Sequence, residues 1–122
     1  MCALFRLISC VVLVVVSGGC QRSEPVAPSM MHQVLGALQI PDEAERDSEL
    51  ASACLQCAIV GDGESVLLGI PSIQDEKLRN NVAGECVAML VSADRKEAAM
   101  KVVTLITDPA KRDELSETLT AG

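Results

Sequence analysis

Aromatic residues are almost absent from this chain of 122 residues, which has no Trp, no Tyr and a single Phe, Phe5. Proteins that bind single-stranded nucleic acid or sugars usually stack them on aromatic side chains. Basic residues are also scarce, with ten against 17 acidic ones and a net charge of −7, so a phosphate backbone would be repelled. The sequence therefore argues against a nucleic acid partner and predicts an aliphatic core.

Histidine is nearly missing as well, since His32 is the single one in the chain. No serine, cysteine or lysine stands with a histidine and an acid at a recognised catalytic spacing. No glycine-rich phosphate loop occurs, because Gly61-Asp62-Gly63 has the character of a turn between helices. We therefore expect no enzymatic activity, no catalytic residue, no metal site and no cofactor.

The first twenty residues have the layout of a secretory signal peptide. Arg6 precedes an apolar run over residues 7–16, which is too short to span a bilayer. The following Ser17-Gly18-Gly19-Cys20 resembles the lipobox of bacterial lipoproteins, and the resemblance implies that Cys20 is freed by cleavage and acylated. Cleavage after Gly19 by an ordinary signal peptidase is the alternative. Both place the mature protein outside the cytoplasm.

These features divide the chain into three parts: a signal peptide over residues 1–19, a lipidated cysteine with a flexible tether over residues 20–29, and a folded domain over residues 30–122. Pro25 and Pro28 make the tether extended. Loss of Arg6 with the leader leaves nine basic and 17 acidic residues, so the mature net charge is −8. The folded part has the length of one domain.

One segment recurs three times at a constant interval, which we name the period. Its pattern is an Ile, an acid two positions later and an Arg four positions after the acid, and it occurs over residues 40–47, 73–80 and 106–113. A fixed period of this size is typical of arrays of helical hairpins. No strand-like alternation is present. The sequence thus predicts an all-α fold, a short α-solenoid of antiparallel helical hairpins.

Helix boundaries follow from capping residues. We predict helices that begin after Asp42, Asp62, Asp75, Asp94 and Asp108. Gly61 ends the first full helix, and Pro71 stops or kinks the second. Residues 30–40 are predicted to form the second helix of a hairpin that lacks its first.

Apolar positions within the period resemble those of the tetratricopeptide repeat. The first set is Leu50, Ala53, Cys54 and Cys57, then Val66, Ile70 and Ile73; the second set is Ala83, Cys86, Val87 and Leu90, then Ala99, Val103 and Ile106. The resemblance covers residues 30–120 and implies protein–protein scaffolding through a concave face. A HEAT-like or other hairpin repeat is the alternative.

Three cysteines of the folded domain form the most suggestive chemical motif. Cys54 and Cys57 make a C-x-x-C pair, which serves disulfide exchange or metal binding. Redox pairs of this type start a helix, whereas Cys54 is predicted about three turns into its helix. Cys86 falls at the period position of Ala53, so the three sulfurs are expected in one core layer. The sequence favours plain core residues over a disulfide or thiol cluster, and both over a redox or metal site.

Each unit also has an acid and an arginine four positions apart, and the pairs are Asp42/Arg46, Asp75/Arg79 and Asp108/Arg112. Ion pairs at this spacing contribute about 0.3–0.5 kcal/mol, and we interpret them as helix-stabilising. An acidic cluster over residues 42–49 is interpreted as solvated surface. As a binding site it would suit a basic protein patch or divalent cations better than an anionic lipid.

Taken together, the patterns predict a membrane-anchored interaction module of the bacterial cell envelope, held by a lipid on Cys20. The alternative is an envelope protein that depends on the thiols of Cys54, Cys57 and Cys86. Two complete hairpins are few for such an array. A homodimer or another envelope protein is therefore expected to cover the first helix through Val34, Ala37 and Ile40.

Overall fold

A computed structural model of the protein describes residues 29–121, and all regular structure within that range is helical. The predicted signal peptide, Cys20 and the tether as far as Pro28 lie outside the described residues. Six α-helices and one 3-10 turn follow in order: α1 Met31–Leu38, α2 Glu43–Ile59, α3 Gly63–Gly69, the 3-10 turn Ile70–Ser72, α4 Glu76–Ser92, α5 Lys96–Val103 and α6 Pro109–Ala121. No helix in this part of the chain is long and apolar enough to cross a membrane.

Aspartate side chains begin four of the helices, as predicted. Asp42, Asp62 and Asp75 each accept the backbone N–H of the residue three positions later, at 2.9, 3.3 and 3.1 Å. Asp108 accepts the N–H of Ala110 at 3.1 Å, and Pro109 is the first helical residue. The carboxylates satisfy N–H groups that have no partner within the helix.

Asp94 was predicted to cap α5, and this prediction is wrong. Arg95 precedes the helix without a side-chain cap, while Asp94 has a φ of 62°. Asp94 stands one period after Gly61, which has a φ of 81°. Both residues reverse the chain after a long helix in the left-handed conformation, which Gly adopts readily and Asp tolerates.

The same hydrogen bonds close both reversals. The N–H of Asp62 donates to the carbonyl of Cys57 at 2.8 Å, and the N–H of Arg95 donates to the carbonyl of Leu90 at 2.7 Å. These bonds satisfy carbonyls at the end of a helix. Residues 60–62 and 93–95 thus form two equivalent turns, at what we name the turn end of the molecule.

The opposite end, which we name the start end, contains the loops 40–42, 73–75 and 106–108. There Asp47, on α2, accepts the N–H groups of Gln74 and Asp75 at 2.9 and 3.0 Å. Asn80, which stands one period after Asp47, accepts the N–H of Thr107 at 3.0 Å. Each long helix is therefore bonded to the loop that starts the next, so α2, α4 and α6 run in the same direction.

Pro41 occupies the period position of Gln74 and Thr107, the two residues whose N–H groups are bonded in this way. Proline has no N–H. The first of the three loops therefore presents no donor at the position where the other two donate.

The three arginines of the recurring unit bind carbonyl groups. Arg46, Arg79 and Arg112 donate to the backbone carbonyls of Ile40, Ile73 and Ile106, at 3.2, 2.9 and 3.3 Å. The sequence analysis predicted an ion pair with the aspartate for each arginine and did not foresee this carbonyl contact. Each guanidinium reaches back to the first residue of the loop before its helix and so holds the helix to that loop.

The core is aliphatic and continuous through both layers of helices. α1, α3 and α5 pack side by side against α2 and α4, and the fully buried large side chains include Leu50, Ile70, Ile73, Leu90 and Ile106. The predicted positions on α2 and α4 are buried. The predicted positions Ala99 and Val103 on α5 are buried as well.

Candidate interaction surfaces

The predicted surface on α1 is corrected by the structure. Val34 is completely buried and Ala37 is 6 % exposed, because α1 packs against both α2 and α3. The γ carbons of Val34 lie 3.4 and 3.6 Å from the place that a Cβ on Gly69 would take. Ile40 is half-buried. These side chains belong to the core of the chain itself, so they do not form an open surface for a partner.

The three cysteines come together in the core as free thiols. Cys54, Cys57 and Cys86 are all completely buried. The thiol of Cys86 points at the carbonyl of Cys54, with 3.6 Å between sulfur and oxygen. Gly69 makes room for Cys54, since a Cβ there would lie 2.5 Å from its sulfur. The cysteines fill the space between α2, α4 and α3, as expected of small core residues.

Burial makes these thiols hard to ionise. It raises the pKa of Cys54 from 9.0 to about 12, with a smaller contribution from the neighbouring Cys57. Burial also raises the pKa of Cys86, and the pKa of Cys57 is raised by burial and by the charge of Asp62. Because thiolates are the reactive form, the environment suppresses nucleophilic and redox chemistry. In residues 29–121 no group of three metal-binding side chains is placed to hold an ion.

A shallow acidic groove of about 510 Å³ separates the first halves of α2 and α4. Glu43, Asp47 and Asp75 line it together with Ala51 and Leu78. The carboxylates of Asp47 and Asp75 already accept backbone N–H groups. The groove belongs to the acidic cluster that the sequence indicated, and it gives that cluster a concave shape.

A second groove, of about 460 Å³, lies between α4 and α6 and is mainly apolar. Its lining residues are Val87, Ala88, Val91, Asp94, Lys96, Leu115, Thr118 and Leu119. Val87 and Leu119 are buried at its floor, and Val91, at its edge, is 42 % exposed. The sequence analysis named none of these residues as an interaction site.

Beside the apolar groove, α6 has its main helix contacts with α5 and fewer with α4. The side chain of Lys111 lies over Gly84, where a Cβ would come within 2.9 Å of its Cε. Ser116 and Thr120 stand at the period positions that Leu50 and Cys54 occupy on α2. Thr120 bonds carbonyls of its own helix. These two polar residues, visible in the sequence, were the signal that α6 departs from the packing of α2 and α4.

A smaller apolar depression adjoins this groove at the turn end. Ile59, Ala88, Met89, Ser92 and Ala93 line it. Ile59 is the most exposed large apolar side chain in the described part of the chain, at 55 %. Ala88 belongs to both hollows, so apolar surface continues from the end of α2 across α4 to α6.

No protein-family model matches the chain, and no curated protein or solved structure matches it. The resemblance to tetratricopeptide repeats is therefore supported only by the spacing of the apolar residues.

Proposed function

We propose that this protein is a short helical-repeat protein that acts as a protein–protein interaction module in the bacterial cell envelope, anchored by a lipid on Cys20. The repeat character is supported by hydrogen bonds that recur once per period, at the aspartate caps, the arginine contacts and the turns. Helical-repeat proteins bind partners along the extended surface that their stacked helices form. The tetratricopeptide-like class is the version of this fold that the spacing favours.

The partner surface proposed is the face formed by α2, α4 and α6. The observation that carries the proposal is the apolar groove between α4 and α6, with its floor of Val87 and Leu119. Exposed concave apolar surface on a folded domain marks sites of protein or ligand contact. The acidic groove lies on the same face between α2 and α4. A partner that fits both is a polypeptide segment with apolar side chains for one groove and basic side chains for the other.

A crosslinking experiment tests this surface in the producing cell. A photoreactive amino acid replaces Thr118, which lines the apolar groove, and in a matched variant it replaces Leu68, which is 39 % exposed on α3. We expect one dominant protein adduct from position 118 and none from position 68. Leu115→Arg should abolish the adduct, because a charged side chain would then occupy the groove that is proposed to hold the partner's apolar side chains. Equal labelling at both positions would remove the groove from the proposal.

The anchor has a separate test. The intact mass of the mature chain should show diacylglycerol on Cys20, and Cys20→Ser should release the protein from the membrane fraction. A crosslink to a second copy of this chain would make the partner a homodimer. The thiol-dependent alternative gains nothing from the geometry, because its three sulfurs are buried and their pKa values are raised.

A further inference from the structure

The chain enters the folded domain at the turn end. The N–H of Met30 donates to the carboxylate of Asp62 at 2.7 Å, which ties the first described residues to the turn between α2 and α3. Only residues 20–29 precede Met30 in the proposed mature chain. A stretch of ten residues spans at most about 36 Å when fully extended. A lipid on Cys20 would therefore hold the turn end within about that distance of the bilayer.

The turn end also presents apolar side chains. Ile59 is the last residue of α2 and Val91 the last but one of α4, and they are 55 % and 42 % exposed. Ala93 lies against Gly61, 3.4 Å from the place of its missing Cβ, so the two turns are side by side. The two apolar side chains therefore belong to one end of the molecule.

The start end and the turn end also differ in charge, and the difference again favours the turn end as the one that faces the membrane. At the start end, the acidic side chains stand against the exposed Lys77 and the half-buried Arg46, Arg79 and Arg112. Six of the acidic residues there are exposed: Asp42, Glu43, Glu45, Asp75, Glu76 and Asp108. At the turn end the exposed charges nearly balance: Glu64, Asp94 and Glu97 against Arg95 and Lys96. Anionic headgroups repel acidic surfaces. The turn end is thus the less acidic of the two ends and the one that anionic headgroups would repel less.

From this arrangement we infer that the turn end is a membrane-contacting surface, with Ile59 and Val91 seated among the lipid headgroups. The inference rests on the proposed anchor at Cys20 and adds an orientation to it. The start end and most of the α2–α4–α6 face then point away from the bilayer, where a partner can reach the acidic groove. Apolar side chains of interfacial proteins sit about 5–10 Å into the headgroup region, a depth that side chains next to a turn can reach.

Fluorescence quenching in vesicles of phosphatidylethanolamine and phosphatidylglycerol tests the orientation. The lipidated chain is reconstituted with an environment-sensitive dye on Ile59→Cys or, as the matched control, on Ala44→Cys. The two positions lie on α2 about 22 Å apart. The parent chain should take up no dye, since its core thiols are buried. Nitroxide lipids should quench the dye at residue 59 several-fold more strongly than the dye at residue 44.

Equal quenching at both positions, or stronger quenching at residue 44, in a chain that floats with the vesicles would overturn the orientation and leave the anchor intact. A chain that does not float would overturn both. Ile59→Ser combined with Val91→Ser, with the dye on Ser92→Cys, should lose the quenching while the protein still floats. Persistence of the full quenching in this variant would overturn the assignment of contact to these two side chains.

Discussion

Asp47 on α2 and Gln74 in the loop before α4 are joined by a 2.9 Å hydrogen bond from the N–H of Gln74 to the carboxylate of Asp47. The second oxygen of the same carboxylate accepts the N–H of Asp75. Asp47 is only 5 % exposed although it is charged. One buried side chain on α2 thus fixes the start of α4.

Asp47→Ala should lower the free energy of unfolding by about 1–3 kcal/mol, because two backbone N–H groups lose their acceptor in a partly buried site. Asp47→Asn keeps one acceptor oxygen and should lower the free energy of unfolding by less. The matched control is Asp113→Ala, at the same period position on α6, where the side chain is exposed; we expect a change within about 0.5 kcal/mol. Urea denaturation followed by circular dichroism measures all three, and equal losses at positions 47 and 113 would contradict the assignment.

Gly69→Ala should destabilise the protein by about 1–3 kcal/mol. Its Cβ would lie 2.5 Å from the sulfur of Cys54, in a buried place where neither helix can give way easily. Gly36→Ala is the control, since no atom lies within 4 Å of its Cβ position and alanine favours helix; it should be neutral or stabilising. Combining Gly69→Ala with Cys54→Ala should cost less than the sum of the single changes. Strict additivity would show that the contact with sulfur is not the cause.

Arg79→Met should cost about 1 kcal/mol, because the half-buried guanidinium loses its bond to the carbonyl of Ile73. Asp75→Asn should cost little, since asparagine also caps helices. If Asp75 and Arg79 instead formed an ion pair, the two substitutions would lower the free energy of unfolding by similar amounts. Both losses would then become smaller as salt is added. Urea denaturation at low and high salt separates the two cases.

The three core thiols should be unreactive toward Ellman's reagent in the native chain at pH 8 and should react at once in denaturant. The test uses a chain with Cys2, Cys10 and Cys20 replaced by serine. Folding raises the pKa of Cys54 from 9.0 to about 12, so the stability linked to this proton is fully present below pH 9. It should be lost as the pH rises from 9 toward 12, because the unfolded thiol ionises first. Rapid labelling of a native thiol would revive the thiol-dependent alternative.

Local signals in the sequence were sufficient for most helix boundaries. Asp42, Asp62 and Asp75 cap their helices because capping depends on residues within one turn. The same argument failed at Asp94, which is in the left-handed conformation because it is equivalent to Gly61. The period of the sequence could have revealed this equivalence. An aspartate three positions before a glutamate is therefore ambiguous when it also stands where a turn must reverse the chain.

Contacts between residues that are far apart in the sequence could not be predicted from the sequence alone. Nothing near Asp47 in the sequence indicates that its partners are Gln74 and Asp75, and an arginine four positions from an acid gives no sign that it binds a carbonyl instead. The prediction of an open surface at Val34 assumed that a missing first helix leaves it bare, whereas α1 buries that side chain against α2 and α3. The groove beside α6 likewise depends on how closely this helix packs against α4 and α5, which residue spacing alone does not show.

Pro41 gives the protein a direction in which it can be lengthened. A duplicated segment 74–106, inserted after Ile106, would present an N–H at each new junction to the side chain of the preceding long helix. A duplicated segment 41–73, inserted after Ile73, would begin with a proline and leave Asp47 with one donor in place of two. Duplication in evolution, like design in the laboratory, should therefore succeed with the later unit and fail more often with the earlier one.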